Sequence, residues 1–236
     1  MVIEHYGIPT APFATIPPRS SWPKSGFSPL DVIDNSAYRN ELRTYPLFIK
    51  PASASTGIGI CGKNKVHSRE ELVHAIEELS QLHPTISLLV EQFLPGREFT
   101  VGIVGTGQDA QVVGVREFVF LKQNPNYHID LTITYVDQDT NLMETDVYSD
   151  VLKRNHGRNP QRVSLGLDDP VALSVAEVAL NSWRVLGCRD GGRIDIRQDS
   201  KSIPNFIEVS LIISLCLRVC LRSIGEHTSW IDAKCV

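Results

Sequence analysis

The 236-residue chain carries 23 lysine and arginine against 27 aspartate and glutamate, for a net charge of −4, and 42% of it is hydrophobic. That is enough chain for one large domain or two small ones with a real core, and the interspersed signs argue against nucleic acid or an anionic membrane as the main partner. No apolar run approaches the length of a membrane helix, and the N-terminus lacks a signal-peptide pattern. The five cysteines, Cys61, Cys188, Cys216, Cys220 and Cys235, make neither a disulfide framework nor a paired metal site. The expected compartment is a reducing cytoplasm.

Residues 1–45 are rich in proline and serine. Ile8-Pro9-Thr10-Ala11-Pro12 and Ile16-Pro17-Pro18 force extended or turning backbone, and the segment reads as one that leans on other parts of the chain. Tyr45-Pro46-Leu47-Phe48-Ile49-Lys50-Pro51 predicts a short buried strand ending in a lysine. In the loop that follows, Ala52-Ser53-Ala54-Ser55-Thr56-Gly57-Ile58-Gly59-Ile60, small and hydroxyl residues surround two glycines. Its backbone N–H groups can therefore approach an anion closely. No Gly-Lys-Thr/Ser follows, so it is not a P-loop, and a plain turn is the alternative.

Ser68-Arg69-Glu70-Glu71 is a capping box that opens a helix with Leu72, Ile76 and Leu79 on its apolar stripe and Val73 beside them. Residues 86–91, 99–104 and 111–120 read as strands, with a turn at Pro95-Gly96. Residues 121–165 are polar and aperiodic, the pattern of a long functional loop. Asp169-Pro170 then starts a helix with the stripe Leu173, Ala176, Leu180 and Trp183, and Gly187 ends it.

The chain's chemistry gathers in Gly192-Arg193-Ile194-Asp195-Ile196-Arg197 and Asn205-Phe206-Ile207-Glu208-Val209. Each half alternates polar and apolar residues, which predicts a β-hairpin. With an even-length loop Asp195 faces Phe206 or Glu208, and Arg193, Asp195 and Glu208 share one face. Ile194, Ile196, Ile207 and Val209 then point into a core. Two carboxylates on one face repel unless a cation lies between them, and a hard divalent ion such as Mg²⁺ fits such a pair. A solvent-facing charged hairpin is the alternative.

Four ordered motifs resemble those of the ATP-grasp ligases, within them the D-alanine–D-alanine ligase group. These are Phe48-Ile49-Lys50-Pro51 before the Ser/Gly loop, Leu89-Val90-Glu91-Gln92-Phe93-Leu94-Pro95-Gly96-Arg97-Glu98-Phe99-Thr100-Val101, Leu186-Gly187-Cys188-Arg189-Asp190-Gly191-Gly192-Arg193-Ile194-Asp195, and Phe206-Ile207-Glu208-Val209. The resemblance implies an α+β fold of two lobes with mostly antiparallel sheets and ATP between them. It places the smaller lobe at 1–92, the larger at 93–209 and a divergent tail at 210–236. It implies an ATP-dependent carboxylate–amine ligase with an acyl-phosphate intermediate.

By position, the resemblance implies that Lys50 reaches the ATP phosphates. Ser53, Ser55, Thr56 and Gly57 belong to the loop that closes over them. Glu91, Gln92, Phe93 and Leu94 form the adenine hinge, and Glu98 holds the ribose. Arg193 stabilises the transferred phosphoryl group, while Asp195, Glu208 and Ser210 ligate Mg²⁺ or Mn²⁺. The implied partner is a small amino acid of the D-alanine type, with a homodimer as the assembly open to it.

The departures are specific. Ser210 stands where the family has Asn, and Leu211-Ile212-Ile213 replaces its Pro/Gly-rich substrate turn. Thr134-Tyr135 stands near the place of a Lys-Tyr pair that many members carry. The chain begins near the family's domain junction, and its tail reads either as intron read-through or as a divergent helix. Weak or absent ligase activity is therefore expected for the chain as written, which leaves a nucleotide-binding fragment and a ligase for another amino acid or carboxylate as alternatives.

Overall fold

The computed structural model describes residues 2–53, 64–119 and 161–211. The chain divides into two compact units, each with its own hydrophobic cluster. The first unit is Ala11–Pro95. The second combines residues 2–10, which open with the short helix α1 (Val2–His5), with Gly96–Val119 and the chain from Arg162 onward. The architecture is α+β, and every strand pair of described register is antiparallel.

The first unit holds β1 (Phe13–Ile16), β2 (Leu47–Pro51), β3 (Lys65–Val66) and β4 (Leu88–Gln92) in the order β1-β4-β2-β3. Alternation divides the sheet into two faces. Ala14, Ile16, Leu47, Ile49, Val66, Leu88 and Val90 line the buried face. Against them lie α2 (Pro29–Asp34) and α3 (Arg69–Leu82), which contribute Ile33, Leu72, Ile76 and Leu79. Each such side chain, fully buried, is worth roughly 1.5–3 kcal/mol.

The α3 stripe of Leu72, Ile76 and Leu79 is buried as expected, and Val73 beside it is 45% exposed. Leu72 and Ile76 sit one turn apart on the contact face, and Val73 falls to the side of it. The capping box also forms with one change. Ser68 Oγ accepts from Glu71 N–H at 3.2 Å, but the reciprocal bond runs from His67 N–H to Glu71 Oε2 at 2.7 Å instead of from Ser68. The proline spacing of the first 45 residues conceals α1, β1 and α2, and it conceals the core residues Ile16, Ile33 and Leu42.

The second unit holds β5 (Glu98–Val104), β6 (Gln111–Val119), β7 (Gln161–Leu165), β8 (Gly191–Gln198) and β9 (Pro204–Leu211), in the order β7-β6-β5-β8-β9. Helix α4 (Pro170–Val185) packs on one face. Asp169 caps it, accepting from Val171 N–H at 2.7 Å and Ala172 N–H at 3.1 Å. Its C-terminus closes with paired bonds from Cys188 N–H to Trp183 C=O and from Gly187 N–H to Arg184 C=O. Gly187 takes φ +65°, the left-handed conformation this motif requires.

The contact stripe of α4 differs from the expected one. Ala172, Val175, Ala179 and Trp183 are fully buried, whereas Leu173 is 53% exposed. Ala172, Val175, Ala179 and Trp183 recur at three- and four-residue spacing along one helix face, and Leu173 lies one position round from it. Trp183 donates from Nε1 to Gly105 C=O at 3.1 Å. Its ring also lies against Gly192, where an added Cβ would stand 2.9 Å from Trp183 Cζ3 and 2.6 Å from Ser210 C=O.

Candidate functional site

In the first unit, the sheet face turned away from the core carries the polar groups. Register places Glu91 opposite both Phe13 and Phe48, and Lys50 opposite Leu89, so Phe13, Phe48, Lys50 and Glu91 share that face. Lys50 Nζ meets Glu91 Oε1 at 2.7 Å, and the side chains are 14% and 18% exposed. Lys65 Nζ lies 4.1 Å from the centroid of the Phe93 ring, a cation–π contact.

The hinge residues follow directly from β4. Gln92 N–H donates to Pro12 C=O at 2.9 Å and Phe93 N–H to Pro46 C=O at 3.2 Å. Leu94 is buried, and its N–H has no acceptor among the described residues. Ser53 is an exposed turn residue just beyond β2. Ser55, Thr56 and Gly57 lie outside the described residues, as does most of the 121–165 segment and the chain from 212 onward.

In the second unit, pairing builds polar rows across the sheet. Phe118, Glu98, Arg197 and Asn205 form one row; Arg116, Thr100, Asp195 and Glu208 form the next; Gly114, Gly102, Arg193 and Ser210 form the third. Thr100 Oγ1 donates to Asp195 Oδ1 at 2.7 Å. Arg193 Nη2 stands 3.4 Å from Asp195 Oδ2 and 4.0 Å from Glu208 Oε1, so one guanidinium spans both carboxylates. Glu98 Oε2 accepts from Arg197 Nη1 at 2.9 Å.

Burial pushes the Asp195 carboxyl up to about 7. The charge of Arg193 and the bond from Thr100 oppose that rise, and the neighbouring Glu208 adds to it. Two carboxylates and the Ser210 hydroxyl on one face fit a hard divalent ion that fills its remaining positions with phosphate oxygens and water. No group of three His, Cys, Asp or Glu that could hold a metal occurs among the described residues, so an ion needing a full protein cage does not fit.

The shared face of Arg193, Asp195 and Glu208 is as expected, but the route to it is not. The loop between β8 and β9 has an odd length, residues 199–203, and the register slips between Asp195 and Ile196. The bulge restores the direct pairing of Asp195 with Glu208. It also puts Phe206 opposite Ile196 and against the core in place of Ile207. Thr100 and Arg197 escaped the sequence reading. The signal was present in the alternation Glu98, Thr100, Gly102, which places all three on the face of Asp195 once β5 pairs with β8.

Comparison with known proteins identifies the family. A family model described as "D-ala D-ala ligase C-terminus" matches residues 2–212. The D-alanine–D-alanine ligase of Marinobacter nauticus is 31% identical over 167 residues, covering 71% of this chain and 42% of that protein. That of Bordetella petrii is 28% identical over 186 residues, covering 76% and 48%. The chain thus spans about half the length of the curated relatives it matches.

Among solved structures, the D-alanine–D-alanine ligase of Bacillus anthracis complexed with ATP superposes with a TM-score of 0.57 at 15% identity, covering 94% of this chain and 57% of that one. An L-amino acid ligase from Bacillus licheniformis gives 0.53 at 15% identity, covering 90% and 39%. No helix among the described residues is long and apolar enough to cross a membrane. The fold is ATP-grasp, and the chain belongs to the D-alanine–D-alanine ligase C-terminal family.

Proposed function

We propose that this chain is the nucleotide-handling part of an ATP-dependent carboxylate–amine ligase of the D-alanine–D-alanine ligase kind. The observation that carries the reading is the cross-strand row Thr100–Asp195–Glu208 with Arg193 spanning its two carboxylates. Activating a carboxylate with ATP brings two anions together, so catalysis is mostly charge neutralisation and positioning. Arg193 offers a planar fork of donors to the transferred phosphoryl group. Lys50 offers a cation to the phosphates when it exchanges Glu91 for them. Leu94 N–H offers a donor to the base edge, and Glu98 offers acceptors to the ribose hydroxyls. The residues from 53 to 59 are the phosphate-covering loop in this reading.

Asp195 and Glu208 would hold Mg²⁺, with Ser210 as a third oxygen. When bound, the ion supplies positive charge against the phosphate oxygens. The amine substrate is an amino acid of the D-alanine type, and the compartment is the cytoplasm. Ser210 in place of an amide ligand favours a second reading, nucleotide binding without turnover.

The test uses the 236-residue chain. Calorimetry should detect Mg²⁺-dependent ATP binding that weakens at least about ten-fold in Lys50→Ala. No binding at millimolar nucleotide would defeat the proposal. Phosphate release that depends on D-alanine separates the ligase from the binding-only reading.

A further inference from the structure

We propose that Thr100 is a positioning residue for Asp195, and that its hydroxyl makes the site select Mg²⁺ over Ca²⁺. The inference deepens the nucleotide-and-metal reading above and rests on it. Thr100 and Asp195 are register partners on β5 and β8, 95 positions apart in the chain. Thr100 is 9% exposed and the Asp195 side chain 14%. The Thr100 hydroxyl donates to Asp195 Oδ1 at 2.7 Å, the length of a charge-assisted bond. Threonine is branched at Cβ and stiff at χ1, so the strand itself fixes where that hydroxyl points.

The two oxygens of Asp195 are therefore not equivalent. Oδ1 is turned to β5 and accepts from Thr100. Oδ2 stands 3.4 Å from Arg193 Nη2, and the same nitrogen is 4.0 Å from Glu208 Oε1. The register slip beside Asp195 sets it directly opposite Glu208 on β9, so its backbone is placed from that side as well. The sheet does not need the hydroxyl. Phe99 and Val101, the neighbours of Thr100 on β5, belong to the core cluster, which leaves Thr100 on the opposite face. Valine has a similar shape and suits such a strand position as well as threonine does.

Mg²⁺ demands a near-ideal octahedron and keeps few carboxylates, whereas Ca²⁺ takes more oxygens and accepts both from one carboxylate. With Oδ1 occupied by Thr100, Asp195 offers one oxygen at no cost. Binding an ion through both would turn the carboxylate and give up the bond from Thr100. That cost falls on Ca²⁺ and spares Mg²⁺. Without the hydroxyl both oxygens become available, and Ca²⁺ gains relative to Mg²⁺.

The experiment measures by calorimetry the dissociation constants of Mg·ATP and Ca·ATP, each with the metal in excess, for the full chain, Thr100→Val and Thr100→Ser. Thr100→Ala takes the place of Thr100→Val if the latter does not fold. Asp169→Ala, which removes a helix cap in the same unit, is the control for general destabilisation. The unmodified chain should prefer Mg·ATP, and the preference should shrink at least about five-fold in Thr100→Val. Thr100→Ser, which keeps the hydroxyl, and the control should retain the preference to within about two-fold. Equal loss of affinity for both complexes in Thr100→Val, leaving the ratio intact, would show Thr100 to be merely structural and overturn the inference. A fall in Thr100→Ser as large as that in Thr100→Val would overturn it as well, because the hydroxyl would not be its cause. An unmodified chain that binds both complexes equally would overturn it too, while leaving the nucleotide-binding reading in place. Absence of binding to either complex would overturn both.

Discussion

At the scale of single residues, the charge of Asp195 is coupled to stability. Its carboxyl titrates near 7 in the fold against an ordinary value of 3.8. Between those values the folded chain keeps a proton that the unfolded chain releases. Stability therefore falls as pH rises from 3.8 to about 7, and the full penalty persists above that. Asp195→Asn removes the penalty, so its urea midpoint should exceed that of the unmodified chain at pH 8. The gain should be on the order of a few kcal/mol and should shrink at pH 5. A gain of the same size at both pH values would contradict this. If Asp195 holds Mg²⁺ as proposed, its proton competes with the ion, so Mg²⁺-dependent nucleotide affinity should rise from pH 6 to pH 8. Calorimetry at the two values tests that rise, and Asp195→Asn should flatten it.

At the scale of elements, two close approaches and one cap make measurable claims. Gly192→Ala drives a methyl into the Ser210 carbonyl and the Trp183 ring, neither of which can yield easily. Overpacking of this kind should cost about 1–3 kcal/mol in chemical denaturation. Gly102→Ala meets Val113 Cγ2, the end of a side chain, at 3.1 Å and the Gly114 carbonyl at an ordinary 3.9 Å, and should cost clearly less. The reverse order would mean that the packing of α4 on β8 has been misjudged. Asp169→Ala removes an oxygen shared by two backbone N–H groups at the start of α4. A loss of about 1 kcal/mol is expected, and Asp169→Asn should recover most of it.

At the scale of the molecule, the two units have separate cores. Leu72 and Ile76 belong to one cluster, and Val175 and Trp183 to the other. A unit with its own core is able to unfold as a unit, so one global transition is not required. Trp22 packs against the first cluster, and Trp183 lies inside the second. Ile76→Ala should lower the urea midpoint reported by Trp22, with Trp183 and Trp230 both replaced by Phe, by about 2–5 kcal/mol equivalent. It should leave the transition reported by Trp183, with Trp22 and Trp230 both replaced by Phe, nearly unchanged. Equal shifts of both probes would show the units to be one cooperative body.

Local chemistry was sufficient for a large part of this protein. Ser68, Asp169 and Gly187 end their helices by bonding groups within a few residues, and such bonds depend on little else. The alternation in residues 192–197 shows which side chains share a strand face, because that period is a property of the extended backbone itself. The motif order, from Lys50 to Glu208, was likewise legible before any coordinate. Pairing was not. Alternation says which residues point the same way, but it says nothing about which residue on the next strand lies opposite. The slip beside Asp195 decided that Phe206, not Ile207, enters the core. Packing on the sheet decided which face of α4 is covered, burying Ala172 and exposing Leu173. The contacts of Asp195 with Thr100, and of Glu98 with Arg197, join residues 95 and 99 positions apart. Only the pairing of β5 with β8 brings them together, because a strand finds its neighbours through the ladder and not through its own sequence.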